Sequence, residues 1–126
     1  MTNILLNLLV IRSVNIEKSL QFYRWLGLEF IQHQHGSGPE HYACSLGELT
    51  FEIYPRTDQG QGAPSTHIGF RVDGLNTLIA FLQEHGVPII SSPKNSPWGF
   101  RAVVDDPDGY RVELVETLPM DGKNNP

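Results

Sequence analysis

Two stretches of the sequence decide the fold, LQFYRWLGLEFI at residues 20–31 and IAFLQEHGVPII at residues 79–90. They align without gaps at a spacing of 59 residues, and the identical pairs are Phe22/Phe81, Gly27/Gly86 and Ile31/Ile90. In each stretch, apolar residues recur at helical spacing. A glycine suited to the left-handed position past a helix end follows, and a short apolar run comes last. The chain is therefore predicted to contain the same helix, turn and strand twice.

The flanking segments extend this repeat to a strand, a helix and three further strands. We predict an α+β fold of two β-α-β-β-β modules, at about residues 4–56 and 65–117, within one domain that spans residues 1–126. The predicted strands and helices are, in the first module, strands near 5–12, 28–33, 41–46 and 49–55 with a helix near 16–25. In the second module they are strands near 66–72, 87–91, 100–105 and 110–117 with a helix near 75–85.

Turn and linker signals support these boundaries. The sequence DPDG at residues 106–109 is typical of a type I turn, and it predicts a hairpin between the last two strands. DQGQGAPS at residues 58–65 has the composition of a linker between the modules. The polar tail at residues 118–126 is expected to be loosely held.

Charge and cysteine content narrow the function classes. The net charge is −5 and the nine Lys and Arg residues are scattered, which argues against a nucleic-acid partner. The apolar N-terminal segment lacks a basic leader and is interrupted by Arg12, so we expect a first strand and no membrane partner. Cys44 is the only cysteine and cannot form an internal disulfide. We therefore expect a small buried thiol in a reducing, cytoplasmic compartment, with a catalytic cysteine as the alternative.

The repeat also pairs polar positions between the modules. Position 8, which is 59 residues before His67, is Leu8, whereas Glu52 and Glu113 both lie in the middle of apolar strands. A carboxylate in mid-strand needs a cation, a polar partner or water. Two interpretations stay open. His67, Glu52 and Glu113 are ligands of a metal ion, or His67 is a hydrogen-bonded, partly buried histidine and the glutamates line a wet cleft.

Three further histidines lie close together in the first module. His33 and His35 are two residues apart, so on a strand they share a face and could hold a metal ion. The alternative is the solvent-exposed end of a hairpin, since a polar loop follows. His41 comes after that loop and is a secondary candidate for the cleft.

The sequence resembles the vicinal oxygen chelate superfamily, which includes glyoxalase I, bleomycin-resistance proteins, fosfomycin-resistance proteins and extradiol dioxygenases. The resemblance rests on NIEKSLQFYRWLGLEF at residues 15–30, THIGFRVDGLNTLIAFLQEHGV at 66–87 and PWGFRAVVDDPDGYRVELVE at 97–116. It implies that the modules form an open, cup-like sheet around a small-molecule cleft. It also implies a homodimer.

The resemblance further implies a divalent ion such as Zn, Ni, Mn or Fe. The usual ligand positions correspond to Leu8, Glu52, His67 and Glu113. Three of these can coordinate a metal, but leucine offers no lone pair, so the usual four-ligand site is incomplete. The expected ligands are then His67, Glu113 and Glu52.

Two functions follow from different classes. One is a metal-dependent, glyoxalase-like lyase or isomerase that acts on a substrate with vicinal oxygens, with Glu113 and Glu52 as catalytic groups. The other is a metal-free protein of the resistance type that sequesters a small molecule. Its expected ligand-binding residues are Leu8, Tyr54, Trp98, Phe100 and Arg101. A dimerisation scaffold without small-molecule activity is a third possibility.

Overall fold

The computed structural model of the protein describes residues 3–57 and 65–117. The predicted tail and all of the predicted linker except Ser65 lie outside the described residues. The chain divides into two compact units, Met1–Gly62 and Ala63–Pro126. We call them module 1 and module 2.

Module 1 has the predicted order of elements. It contains β1 (Leu8–Ser13), α1 (Ile16–Trp25), β2 (Ile31–His33), β3 (His41–Leu46) and β4 (Leu49–Pro55). The strands form one sheet in the order β1-β4-β3-β2. The β1–β4 pair is parallel, whereas the other two pairs are antiparallel, and α1 forms the crossover from β1 to the parallel strand β2 at the far edge of the sheet.

Module 2 repeats the same topology. It contains β5 (His67–Arg71), α2 (Leu75–Glu84), β6 (Ile89–Ser96), β7 (Gly99–Asp105) and β8 (Arg111–Glu116). Its sheet has the equivalent order β5-β8-β7-β6, with β5 and β8 parallel. Both helices have ten residues, and each boundary of α2 falls 59 residues after that of α1. The predicted α+β class and the duplication are thus confirmed.

Both helices end as the sequence predicts. Gly27 and Gly86 have positive φ angles of 109° and 85°. The next residue in each module donates a hydrogen bond to a carbonyl five positions earlier, Leu28 to Tyr23 at 3.1 Å and Val87 to Leu82 at 3.0 Å. This is the Schellman arrangement, which satisfies carbonyls at the helix end. Neither helix of the described residues is long and apolar enough to span a membrane.

Alternate strand residues form the core of each module. In module 1, Phe51 and Ile53 of β4 are almost fully buried, and the ring of Tyr23 on α1 meets Phe51 edge-on. In module 2, Val112 and Leu114 of β8 are fully buried. The intervening residues of β4 and β8 are only partly buried, as expected for strands with one core face. We call the side of each sheet that carries Glu52 or Glu113 its polar face.

Strand boundaries differ from the prediction in three places, and one of them is β2, which begins at Ile31 rather than near residue 28. β1 begins at Leu8 rather than near residue 5, although the carbonyl of Asn7 already accepts a hydrogen bond from Thr50. β6 continues to Ser96, well past the predicted end near residue 91. Pro93 lies inside this extension and cannot donate a ladder hydrogen bond. It is tolerated because β6 is an edge strand with an irregular register.

The predicted turn at residues 106–109 is present. The N–H of Gly109 donates to the carbonyl of Asp106 at 3.0 Å. The Asp106 side chain also accepts hydrogen bonds from the N–H groups of Asp108 and Tyr110, at 2.8 and 2.9 Å. This turn fixes the register of the β7–β8 hairpin, in which Asp105 pairs with Arg111.

Candidate functional site

The polar face of module 2 brings several predicted site residues together. Glu113 pairs with Gly69 on the parallel strand β5 and with Val103 on the antiparallel strand β7. His67 lies two residues before Gly69, so its side chain is on the same face. Arg101 lies two residues before Val103 and shares that face too.

Arg101 and Glu113 form a charge-assisted hydrogen bond. An Nη atom of Arg101 donates to an Oε atom of Glu113 at 2.9 Å, and the two side chains are 26% and 35% exposed. This hydrogen bond lowers the pKa of Glu113 below its usual value, and the positive charges of Arg101 and His67 act in the same direction, whereas burial opposes them. The same hydrogen bond raises the pKa of Arg101. The pair is therefore fully ionised at neutral pH.

A cavity of 290 Å³ lies at this pair. It is lined by Trp98, Arg101, Glu113 and Val115. Trp98 is 71% exposed and sits in the tight turn between β6 and β7. The hydroxyl of Ser96 holds this turn, since it donates to the carbonyl of Gly99 at 2.7 Å and accepts from the N–H of Trp98 at 3.2 Å. An aromatic surface, a cation and an anion thus border one hollow.

A larger hollow of 460 Å³ runs along the solvent side of α1. Its lining residues are Glu17, Lys18, Gln21, Arg24 and Trp25. Glu17 lies in the first turn of the helix and Arg24 in the last, where their charges suit the helix dipole. The helix dipole accounts for the positions of these two charges, so the charges do not indicate a binding site.

The polar face of module 1 carries the other predicted residues. Val10 pairs with Glu52 and Leu8 with Thr50 in the β1–β4 ladder, which puts Leu8 on the same face as Glu52. Leu8 is 50% exposed and offers no donor atom. Tyr54 shares this face as well.

A row of side chains crosses all four strands of module 1 on this face. Arg12 pairs with Tyr54, and His33 pairs with His41. The ring of Tyr54 stacks on that of His41, with 4.2 Å between centroids and 6° between planes. The guanidinium of Arg12 covers the other side of Tyr54, 5.2 Å from the ring centre, which is a cation–π contact.

His41 and Arg101 occupy equivalent positions in the two modules. Each lies on the third strand of its sheet, diagonal to the central glutamate of the last strand. His41 Nε2 lies 3.9 Å from an oxygen of Glu52, too far for a hydrogen bond. His41 is 1% exposed, and its Nε2 has no hydrogen-bond partner among the described residues.

The sequence predicts Glu113 and Arg101 as site residues but does not predict that they bind each other. The DPDG turn carried the missing signal. Counting back from that turn puts Arg101 and Glu113 at diagonal positions of one hairpin.

Phe100 does not join the residues around Arg101. It pairs with Glu116 and Asn95 and alternates with Arg101. It is therefore on the side of β7 that carries the fully buried residues Ala102 and Val104. A position beside Arg101 in sequence places a side chain on the opposite face of a strand.

The expected metal ligands are divided between the modules, with Glu52 in module 1 and His67 and Glu113 in module 2. Leu8 has no lone pair, and one oxygen of Glu113 already accepts a hydrogen bond from the Arg101 guanidinium, which leaves the other oxygen of Glu113 for a ligand. Within residues 3–57 and 65–117, no three His, Cys, Asp or Glu side chains are arranged around a common metal position.

Comparisons with known proteins agree on the fold. Residues 5–114 match the family model for the Glyoxalase/Bleomycin resistance protein/Dioxygenase superfamily. A protein from Synechocystis sp. described as a probable lactoylglutathione lyase is 27% identical over 122 residues, covering 86% of this chain and 92% of the relative.

Two solved structures from Streptomyces sp. CB03234 are also similar. The antibiotic binding protein TnmS3 has a TM-score of 0.75 at 24% identity, and the match covers 94% of this chain and 99% of that one. A glyoxalase/bleomycin resistance protein has a TM-score of 0.69 at 24% identity, with coverage of 88% and 99%. At these identities the similarity shows a shared fold.

Proposed function

The chain belongs to the glyoxalase/bleomycin resistance protein/dioxygenase superfamily, and on that basis we propose that it is a small-molecule binding protein. Its ligand is a planar organic molecule that stacks on Trp98 and exchanges hydrogen bonds with Arg101 and Glu113. It is held without a metal ion. The observation that carries this proposal is the Arg101–Glu113 hydrogen bond of 2.9 Å beside an exposed tryptophan.

Trp98 supplies the apolar contact. Its side chain is 71% exposed, so a flat ligand can cover the indole without displacing core residues. Aromatic pairs contribute about 0.5–1.5 kcal/mol beyond the area that they bury. Val115 lines the same cavity and extends the apolar surface.

Arg101 and Glu113 supply polarity and orientation. A guanidinium has five N–H donors, and the bond to Glu113 uses one of those on Nη2. The remaining donors suit a carboxylate, phenolate or carbonyl of the ligand. Glu113 has a second oxygen that can accept from a ligand O–H or N–H. The ionised pair thus favours a ligand that carries both an acceptor and a donor.

The similarity to TnmS3, described as an antibiotic binding protein, supports antibiotics as the first compounds to test. We propose a panel of planar aromatic antibiotics that either carry or lack an acidic group. The readout is quenching of Trp98 fluorescence in a Trp25→Phe background. Since the chain has two tryptophans, Trp98 is then the only one that reports.

We expect saturable quenching that persists in EDTA and that prefers the acidic compounds. Arg101→Gln should weaken their binding by about 10-fold or more, since hydrogen bonds to charged groups contribute about 1.5–3 kcal/mol. Arg111→Gln is the matched control, because Arg111 pairs with Asp105 on the same hairpin and does not line the cavity. Binding that requires a metal ion, or that is equally strong in Arg101→Gln, would contradict the proposal.

A glyoxalase-like lyase is the second candidate. It is favoured by the relative described as a probable lactoylglutathione lyase, matched over 92% of its length. It is also favoured by the placement of His67 near Glu113, whose pKa the histidine charge lowers. In this function His67, Glu52 and Glu113 hold a metal ion, and Glu113 or Glu52 moves the proton.

The lyase is tested by measuring the formation of S-lactoylglutathione from the hemithioacetal of methylglyoxal and glutathione, with and without added Zn, Ni, Mn or Fe. Turnover that is lost in both His67→Ala and Glu113→Gln would establish the enzyme and displace the metal-free proposal. Leu8→His adds the missing donor. It should raise metal affinity only if His67, Glu52 and Glu113 already converge on one ion.

We also propose that the protein acts as a homodimer. Support comes from the apolar side chains that precede and begin β1, where Ile4, Leu6 and Leu8 are 80%, 72% and 50% exposed. Such a surface is typical of an interface. Light scattering of the wild type and of Leu6→Ser tests this assignment, since the mutation should shift the mass toward the monomer.

A further inference from the structure

Three histidines form a cluster at the end of the polar face in module 1. The ring centroids of His33, His35 and His41 are 5.1–5.9 Å apart. His33 and His41 are directly paired on neighbouring antiparallel strands, and His35 follows two residues after His33. Glu52 reaches the cluster from β4, with an oxygen 3.9 Å from His41 Nε2.

The hydrogen bonding of His41 defines which nitrogen can bind a ligand. Its Nδ1 lies 3.3 Å from the carbonyl oxygen of Pro39, and a carbonyl can only accept, so Nδ1 carries the proton. In the neutral ring Nε2 then presents a lone pair. That lone pair is buried next to an oxygen of Glu52 and has no hydrogen-bond partner among the described residues. Two electron-rich atoms in this position require a donor or a cation between them.

We propose that His33, His35, His41 and Glu52 bind a divalent transition-metal ion. Imidazole nitrogens with one carboxylate suit Zn²⁺, Ni²⁺ and Cu²⁺. Metal–nitrogen and metal–oxygen bonds of about 2.0–2.2 Å at a tetrahedral angle place two donors on one ion roughly 3.3–3.6 Å apart. His41 Nε2 and the Glu52 oxygen are 3.9 Å apart, so a small movement of the Glu52 side chain brings them to this separation.

Two of the rings must rotate for the site to form. As they stand, the four side chains do not surround a common metal position. The ring planes of His33 and His41 are nearly parallel, with an angle of 24° between them. His35 is exposed and His33 is half-buried, so both can turn about their side-chain bonds. His41 is held by stacking on Tyr54 and provides the fixed ligand.

This site differs from the metal position that the family resemblance implies. It shares Glu52 with that position but uses neither Leu8 nor His67 nor Glu113, and all four of its ligands lie in module 1. It is also independent of the proposed function, because no residue of the Trp98 cavity takes part. A metal bound here would stabilise the folded protein by linkage.

The test is calorimetric titration of the protein, without any affinity tag, with ZnCl₂, NiCl₂ or CuCl₂. We expect one ion per chain, with a Kd in the micromolar range or below, and a rise in melting temperature. His33→Gln and His35→Gln each alter a side chain outside the core. Each should weaken binding by about 10-fold or more, and Glu52→Gln should have a similar effect.

Two variants serve as controls. His67→Gln removes the ligand expected from the family, and His85→Gln removes a histidine on the surface of α2. Neither should change the affinity. The absence of saturable binding up to about 100 μM metal, unchanged affinity in the His33→Gln/His35→Gln double variant, or loss of binding in His67→Gln would each overturn the assignment. His41→Gln is not needed for the test, so a folding defect in that buried variant leaves the outcome clear.

Discussion

Arg101 donates a 2.9 Å hydrogen bond to Glu113, whereas Nε2 of the equivalent residue of module 1, His41, lies 3.9 Å from an oxygen of Glu52 and forms no hydrogen bond with it. The two pairs stand at the same register of duplicated sheets. In module 2 a permanent cation neutralises the carboxylate, whereas in module 1 an imidazole faces it without a hydrogen bond. The duplication has therefore produced two glutamates with different chemical partners.

The Arg101–Glu113 pair makes a prediction about proton affinity. In Arg101→Gln the pKa of Glu113 should rise from its lowered value toward or above the ordinary 4.5, because the main lowering contact is removed while the effect of burial remains. The measurement is the pH dependence of the Glu113 side-chain carbonyl chemical shift in both proteins. Arg111→Gln, which removes the neighbouring pair with Asp105, should leave the titration of Glu113 unchanged.

The same shift has a consequence for stability. A carboxyl group with a lowered pKa in the folded state contributes stability above its unfolded pKa, and this contribution is lost as pH falls through the folded value. Wild type and Arg101→Gln should therefore differ in free energy of unfolding above about pH 4.5, and the difference should vanish as pH falls further, through the lowered pKa of Glu113 in the folded protein. A difference that persists at pH 2 would mean that Arg101 acts through packing rather than charge.

The architecture is predictable from the sequence because local sequence features mark each repeated element. The helix periodicity and the glycines at residues 27 and 86 fixed both helices, and the DPDG turn fixed the last hairpin. β6 extends past its predicted end because an irregular edge strand tolerates Pro93. That outcome depends on tertiary context, which propensity does not contain.

The candidate site was harder to predict because it depends on which side chains meet across strands. His67 and Glu113 were predicted from the repeat, and they do share a face in module 2. The contacts of Arg101 with Glu113 and of His41 with Tyr54 required the register of each ladder. Phe100 was predicted to line the site with Arg101, but neighbouring residues of a strand point to opposite faces, so Phe100 lies on the other side of β7.

The burial of Cys44 favours a structural thiol over a catalytic one. It is 4% exposed, and burial is the main cause that raises its pKa, with the charge of Glu29 adding to the effect. A raised pKa lowers the thiolate fraction, and the thiolate is the reactive form. At pH 8 the native protein should react with Ellman's reagent at least about 10-fold more slowly than the urea-unfolded chain. Rapid reaction of the folded protein would restore the catalytic alternative.

The two helices begin with different caps, which predicts different mutational responses. Asn15 caps α1 with its own side chain, which accepts from the N–H of Lys18 at 3.2 Å. Gly74 offers no side chain to α2, and Glu116 of β8 accepts from the N–H of Leu75 at 2.9 Å instead. Asn15→Ala and Glu116→Ala should each lower the free energy of unfolding by about 1 kcal/mol.

Conservative variants separate capping from other effects at these positions. Asn15→Asp and Glu116→Gln both keep an acceptor oxygen, so urea denaturation should show that most of the stability is retained. Equal losses for Glu116→Gln and Glu116→Ala would mean that charge at the start of α2, rather than the hydrogen bond, is what matters.

The repeated helix termini give the most direct test of the duplicated fold. Gly27 and Gly86 both have left-handed backbone angles with no atom near the position of an added Cβ, so Gly→Ala at either residue adds backbone strain without a steric clash. Each substitution should lower the free energy of unfolding by about 1 kcal/mol, measured by urea denaturation. Gly69→Ala is the matched control, because its Cβ would meet Glu113 at an ordinary 3.9 Å and its backbone is that of a strand. A loss at Gly69 as large as at Gly27 and Gly86 would show that the left-handed turn is not the cause.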